Sequence, residues 1–219
     1  MTLKGIIVVA LALAAAVMVI PGVTYFTENV KESYGKCLRR KPLTSMFLLL
    51  MVTGAAAVHI YRLSDSWETF AASLQSQCVW YIVLLIATID YFTKRIPNVL
   101  VLFILAIRCA TVICLIILQP AQWGVLLGKS AIGFLAGVLF LGTCFLISRG
   151  GLGAGDLKLY CALGLCYGLY GIMAILFYSL LASVVIGIVL LIAHKAKFKT
   201  TIPMAPFALI GLTVFLLIS

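Results

Sequence analysis

Acidic residues are scarce in this 219-residue chain, which has six Asp and Glu against 16 Lys and Arg, and charged residues make up only 10% of it. Soluble globular domains carry about 25% charged residues. Apolar residue types account for 64% of the chain, and its mean hydropathy is +1.23. This composition excludes a soluble enzyme or a nucleic-acid-binding domain. It predicts an all-α fold, a polytopic bundle of transmembrane helices.

Metal-binding cysteine patterns are also lacking. The chain has seven Cys and no CxxC pair. The closest pairs are five residues apart in apolar runs, a spacing that puts them on different helix faces. Neither a disulfide nor a zinc site is expected, and no metal or other cofactor is predicted. The net charge of +10 does not indicate a nucleic-acid partner, because basic residues are typical of the cytoplasmic loops of membrane proteins.

Long apolar runs define the predicted topology. A helix needs about 20 apolar residues to span a bilayer. Eight stretches qualify, at about 5–26, 45–61, 77–93, 97–118, 124–148, 157–172, 173–193 and 203–218. The sixth and seventh share one apolar run, with the division expected near Gly168 and Gly171. Twelve of the sixteen basic residues fall in one set of loops, which places those loops in the cytoplasm and both termini outside. The first stretch is expected to be a retained helix rather than a cleaved signal.

Two of the six acidic residues differ from the others in position. Asp90 ends the apolar run CVWYIVLLIATID, and Asp156 follows the glycine-rich segment GGLGAG at the start of another apolar run. Both are predicted at the cytoplasmic edge of the membrane, where ionisable groups are costly and often functional. Two unrelated carboxylates, each satisfied by a nearby Lys, would give the same pattern. The other four are expected to be solvated loop charges: Glu28, Glu32, Asp65 and Glu68.

Paired carboxylates are suited to peptide hydrolysis, because one can accept a proton from water while the other, protonated, polarises the scissile carbonyl. Lys94 would face Asp90 if the helix continued that far, and Asp156 would stand at a helix N-terminus, which favours an anion. These surroundings do not decide which carboxylate is the base. The glycines at 150–155 allow the backbone to lie close to an extended peptide, although a flexible loop between helices would also be rich in glycine.

Three segments together resemble a known family. IDYFTKRIPN (89–98), GAGDLKL (153–159) and IPMAPFALIG (202–211) are similar, in order and spacing, to the signature regions of the type IV prepilin peptidases, which are membrane aspartyl proteases of the GxGD type. The resemblance covers about 45–218. It implies a multi-pass protein of the prokaryotic cytoplasmic (inner) membrane that cleaves the basic leader from prepilin or pseudopilin precursors at the cytoplasmic face. No metal is implied for proteolysis.

Carried over to this sequence, the resemblance implies that Asp90 and Asp156 form the catalytic pair. The motif residues that it implies around the pair, for substrate binding or local geometry, are Gly153, Gly155, Lys158, Pro97, Asn98, Pro203 and Pro206. Substrate and membrane lipid are then the expected partners.

The N-terminal part departs from the long form of the family, whose members carry two CxxC pairs in the first cytoplasmic loop and also N-methylate the product. Here the corresponding loop, SYGKCLRRKPLTSMF (33–47), keeps only Cys37. One thiolate does not make a tetrahedral zinc site, so methyltransferase activity is predicted to be absent. We divide the chain into a degenerate methyltransferase-like region, 1–44, comprising the first helix and a basic loop, and a peptidase membrane domain, 45–219.

Other functions remain open at this point. A presenilin-like intramembrane protease shares GxGD, but usually has Tyr before the first Asp and a PAL motif, where this chain has Ile89 and Met204-Ala205-Pro206. A proton-coupled transporter could use paired aspartates, although such proteins often show internal repeats and midplane carboxylates, neither of which is seen here. An assembly protein with a vestigial site would also carry the motifs. Arg108, near mid-membrane, is expected to have a structural or cavity role outside the site.

Overall fold

A computed structural model of the chain describes residues 67–147, 153–192 and 203–218. Within these ranges every regular element is helical: α1 is Trp67–Thr93, α2 is Asn98–Leu118, α3 is Trp123–Ile147, α4 is Ala154–Ile192 and α5 is Ala205–Ile218. A short 3₁₀ helix, Pro120–Gln122, joins α2 to α3. The all-helical fold class is therefore confirmed for the described part of the chain.

The chain divides within α1 into two compact units, Met1–Tyr81 and Ile82–Ser219. In the first unit the described part is 67–81, a helical segment in which the rings of Trp80 and Tyr81 meet edge to face at 5.5 Å. The second unit contains the rest of α1 and all of α2 to α5. The predicted boundary between residues 44 and 45, and the first two predicted spans, lie outside the described residues.

Among the residues that the structure describes, four helical stretches are long and apolar enough to cross a membrane: Phe70–Tyr91, Asn98–Leu118, Pro120–Ile147 and Ala154–Val189. Ala205–Ile218 is a shorter apolar helix. The outward faces of α2 and α3 are apolar, with Phe103, Ile117 and Leu139 more than half exposed, as expected where a bilayer rather than water is the solvent. The protein is thus a helical membrane protein. The total of eight spans and the orientation of the termini stay predictions.

The helix α4 is sharply broken at Gly168. This residue has φ 69° and ψ −170°, which is not a helical conformation. The side chain of Tyr160, before the break, interacts with that of Ser179, after it, although these positions would be nearly 30 Å apart on a straight helix. The two arms, 154–167 and 169–192, therefore turn back beside each other. The predicted division of this apolar run near Gly168 is confirmed.

The core of the second unit lies around α4, which packs against α2, α3 and α5. Gly133 of α3 has no room for a side chain, because a Cβ atom there would overlap the backbone of Gly164 and Gly168. This is the close approach that the GxxxG spacing of these glycines allows. The largest fully buried side chains of this unit are Tyr160, Ile86, Ile104, Leu159, Leu163, Ile172, Ile175, Leu212 and Val83.

Candidate active site

The first candidate carboxylate, Asp90, lies in the last turn of α1 and is only 5% exposed. Its Oδ2 atom accepts a hydrogen bond of 3.1 Å from the backbone N–H of Ala205. Ala205 is the first residue of α5, where backbone N–H groups have no partner within the helix. The carboxylate therefore caps α5, and the first and third motifs meet at this bond.

The helix α1 ends at Thr93, three residues after Asp90. The N–H of Lys94 donates to the carbonyl oxygen of Asp90 at 2.8 Å, and Lys94 itself has φ 53°. A left-handed residue at this position is a common way to end a helix. Pro97 then caps the N-terminus of α2 with φ −66° and ψ 122°. Because the helix ends at Thr93, Lys94 does not occupy the helical position that would have placed it over Asp90.

The second candidate carboxylate, Asp156, lies in the first turn of α4. The backbone of Gly153 hydrogen-bonds to its side chain, and the carbonyl oxygen of Gly153 accepts from the Asp156 N–H at 3.1 Å. A Cβ atom on Gly153 would stand 2.8 Å from Oδ2 of Asp156. Glycine at this position leaves space for the carboxylate.

The two carboxylates lie in the same region, because Gly155 and Lys158, which flank Asp156, contact Ile96 and Asn98 in the segment that follows Asp90, and Asp90 is near enough for its charge to affect Asp156. They come from the end of α1 and the start of α4. The Oδ1 atom of Asp156 is buried and has no hydrogen-bond partner among the described residues. Two carboxylates that interact in this way do not readily ionise together, so they are suited to sharing one proton.

Gly155, the second glycine of the motif, packs against the turn between α1 and α2. A Cβ atom at Gly155 would stand 3.0 Å from the Cβ of Ile96. The sequence had suggested that these glycines make room for an extended peptide. In the structure, Gly155 makes room for Ile96, and Gly153 makes room for a catalytic candidate; residues 150–152 lie outside the described part.

Lys158 joins the second motif to the first. Its Nζ atom donates to Oδ1 of Asn98 at 3.2 Å. Asn98 is the first residue of α2, so this bond ties the start of α2 to the start of α4.

The prolines act through backbone geometry. Pro203 precedes α5, and Pro206 is its second residue, where a missing N–H costs least. The intervening Ala205 keeps its N–H, the one that binds Asp90. The sequence analysis assigned no role to Ala205, because a methyl side chain can neither hydrogen-bond nor transfer a proton. The position of Ala205 near two prolines at the start of a helix was the feature that could have identified its free N–H.

Arg108 contacts a different part of the bundle. Its guanidinium donates to Oγ of Ser130 at 2.6 Å, which links α2 to α3. Cys166 and Tyr167 of α4 lie near it. This agrees with its assignment to a role outside the site.

No group of three or more His, Cys, Asp or Glu side chains that could hold a metal ion occurs within 67–147, 153–192 and 203–218. The residues collected at the candidate site are two carboxylates, glycines, prolines and one Lys–Asn pair. Their chemistry is that of proton transfer and hydrogen bonding.

Comparison with known proteins decides the family. A model of the type IV leader peptidase family matches residues 78–192, more than half of the chain, including both aspartates. The chain belongs to this family.

Curated relatives carry the same name as one another, prepilin leader peptidase/N-methyltransferase. The Bacillus subtilis protein is 29% identical over 125 residues, covering 57% of this chain and 48% of the relative. The Xanthomonas campestris protein is 30% identical over 193 residues, covering 80% and 60%. An Aeromonas salmonicida protein is 28% identical over 187 residues, covering 78% and 56%.

This member of the type IV leader peptidase family therefore aligns with only about half to three fifths of the length of those relatives. No solved structure matches the chain. Family membership indicates a membrane protein related to prepilin-processing proteases. The names of the matched relatives also include a second activity, N-methyl transfer.

Proposed function

We propose that the protein is an aspartyl endopeptidase that removes the leader from prepilin-like precursors, with Asp90 and Asp156 as its catalytic pair. The observation that carries this proposal is that the three motif segments meet. Asp90 accepts a hydrogen bond from Ala205, and Gly155 and Lys158, on either side of Asp156, contact Ile96 and Asn98 in the segment that follows Asp90. The N–H of Ala205 fixes one oxygen of Asp90, so the pair is oriented before any substrate binds. Family membership supplies the class of substrate.

In the proposed reaction, the ionised carboxylate takes a proton from water as the water oxygen attacks the scissile carbonyl carbon. The protonated carboxylate donates a hydrogen bond, and then its proton, to the carbonyl oxygen. As the resulting gem-diol collapses, one of its hydroxyl groups returns a proton to the ionised carboxylate, the C–N bond breaks, and the leaving nitrogen receives the proton of the other carboxyl group. Over the whole cycle the pair takes up two protons, from water and from the gem-diol, and gives up two, to the carbonyl oxygen and to the leaving nitrogen, so it returns to its singly protonated state.

Substrate recognition is proposed to rest on apolar and backbone contacts. Prepilin leaders are basic, and this chain carries a net charge of +10, so attraction between net charges does not favour binding. The apolar helix of the precursor can instead dock among the spans, and its extended cleavage segment can pair with the backbone at 150–155. The contacts Gly155–Ile96 and Lys158–Asn98 hold the surrounding segments in place for this.

The proposal is tested with Asp90→Asn and Asp156→Asn variants, assayed on a leader-bearing pilin in membranes. Each should lose most of the cleavage rate, because a pair that works as a unit fails when either member is lost. Asp65→Asn, a change in a predicted loop acid, is the matched control and should cleave normally. Normal cleavage by either motif variant would overturn the assignment.

We further propose that the site faces the cytoplasm of a prokaryotic inner membrane and that the protein does not methylate its product. The first proposal rests on the twelve basic residues on one set of loops, and the second on the lone Cys37 in the first of those loops. A reporter enzyme that works only in the cytoplasm should be active when it is fused within the loop at 33–47. A reporter that works only outside the cytoplasm should be inactive at the same position. Transfer of a methyl group from S-adenosylmethionine to processed pilin by the purified protein would contradict the second proposal.

A further inference from the structure

Tyr160 is a polar residue in the most buried part of α4. It is 0% exposed and lies one helical turn after Asp156. Side chains on a helix lean toward its N-terminus, so residues four apart are neighbours. The Tyr160 side chain is therefore directed toward the turn that carries Asp156, and the two side chains lie near each other.

Two buried oxygen atoms in this region have no hydrogen-bond partner among the described residues: Oη of Tyr160 and Oδ1 of Asp156. Most buried polar atoms in proteins are paired, so each exception calls for an explanation. These two are complementary, because a phenolic hydroxyl can donate and a carboxylate oxygen accepts. The other oxygen of Asp156 faces Gly153.

Ser179 is the neighbouring polar group on the other arm of α4, and it offers a purely structural alternative. Its hydroxyl lies within reach of the Tyr160 hydroxyl, although the two do not form a hydrogen bond of good geometry, so the tyrosine hydroxyl could serve only to hold the two arms together. However, the Ser179 hydroxyl donates to the carbonyl oxygen of Ile175 at 2.6 Å, and Gly211 of α5 packs directly on it. Ser179 is thus held in place by its own helix and by α5.

We propose that Tyr160 is a positioning residue for Asp156: its hydroxyl donates to Oδ1, directly or through one water, and sets the orientation of the carboxylate for reaction. The inference rests on the proposed function. Catalytic hydrogen bonds are often long in the absence of substrate and tighten when it binds. The backbone of Gly153 already holds the Asp156 carboxylate on one side, and this bond would hold Oδ1 as well, as the N–H of Ala205 holds Oδ2 of Asp90.

The test is Tyr160→Phe, which removes the hydroxyl and keeps the ring. On a leader-bearing pilin, kcat should fall about tenfold or more, the range expected for a lost hydrogen bond to a charged group, while KM stays unchanged. Tyr167→Phe, two turns further along α4, is the matched control and should retain wild-type kcat. Ser179→Ala should also retain it; if Ser179→Ala lowered kcat as much as Tyr160→Phe, the structural alternative would be correct and our inference wrong.

A second readout does not depend on turnover. The infrared carboxyl bands that Asp156→Asn removes should shift in Tyr160→Phe and stay unchanged in Tyr167→Phe. The inference requires both results, the lower kcat and the shifted band, and it fails if Tyr160→Phe matches the wild type in either. If the wild-type protein cleaves no precursor, the proposed function fails, and the infrared comparison alone decides whether the hydrogen bond exists.

Discussion

The backbone N–H of Ala205 donates a hydrogen bond of 3.1 Å to Oδ2 of Asp90, across 115 residues of sequence. A main-chain donor holds the carboxylate more rigidly than a flexible side chain would, because the first turn of α5 fixes its direction. It also satisfies an N–H group that the helix itself leaves without a partner.

Replacing Ala205 by proline should therefore impair the site without breaking α5. Proline is tolerated at the first position of a helix, but it removes the N–H that Asp90 requires. Loss of a partner for a buried polar group costs about 1–3 kcal/mol, so cleavage should fall about tenfold or more. The measurement is kcat/KM on a leader-bearing pilin. Met204→Ala, which alters the neighbouring side chain and keeps the amide of Ala205, is the control and should remain active.

Gly155→Ala should reduce both activity and stability, although alanine is the better helix former by about 0.5–1 kcal/mol. The reason is steric: the added Cβ would lie 3.0 Å from that of Ile96, and overpacking of this kind costs about 1–3 kcal/mol. The double variant Gly155→Ala with Ile96→Gly, which removes the Cβ of residue 96, should recover part of the loss. Thermal unfolding in detergent and cleavage rates check this; an unchanged or more stable single variant would contradict the packing argument.

Lys158→Gln and Asn98→Ala should each lower kcat/KM several-fold, because each removes the bond between the starts of α2 and α4. The double variant should be little worse than either single one. Residues that share one interaction behave non-additively, and a double-mutant cycle on kcat/KM measures the coupling. Fully additive losses would show that the two residues act separately.

Gly168→Ala should destabilise the protein. The residue has φ 69°, a conformation that costs a residue with a side chain about 1–3 kcal/mol, and the added Cβ would lie 3.4 Å from the carbonyl oxygen of Lys129. Gly187→Ala is the matched control, since it changes a helical glycine of the same element with no atom within 4 Å of the added carbon. The control should unfold at or slightly above the wild-type temperature, and Gly168→Ala clearly below it.

The helices that the sequence predicted best are uniform apolar runs with prolines at their edges. The predicted stretches 97–118 and 124–148 correspond closely to α2 and α3. The start of α1 at Trp67 was placed ten residues too late, because its first turns carry polar residues such as Gln75 and Gln77 that do not resemble a membrane span. The break at Gly168 was predictable because glycine is the residue that most readily leaves a helix.

The candidate site was predictable only in its side chains. Asp90 and Asp156 stood out because carboxylates are rare in this chain. Two other features of the site could not be predicted. The N–H of Ala205 is a main-chain group, which every residue except proline has, and the contact between Gly155 and Ile96 depends on how distant segments of the chain pack. Tyr160 resembled any apolar residue of a span until its burial and its neighbours were known.

The bond between Asp90 and Ala205 also bears on when the protein becomes competent during its synthesis. Ala205 is translated after all of α1 to α4, so a nascent chain already contains both aspartates long before the amide that secures the first of them exists. Until α5 has formed, the carboxylate of Asp90 lacks this hydrogen bond. Under the proposed function, cleavage is therefore expected to begin only once α5 is in place, after α1 to α4 have already been inserted.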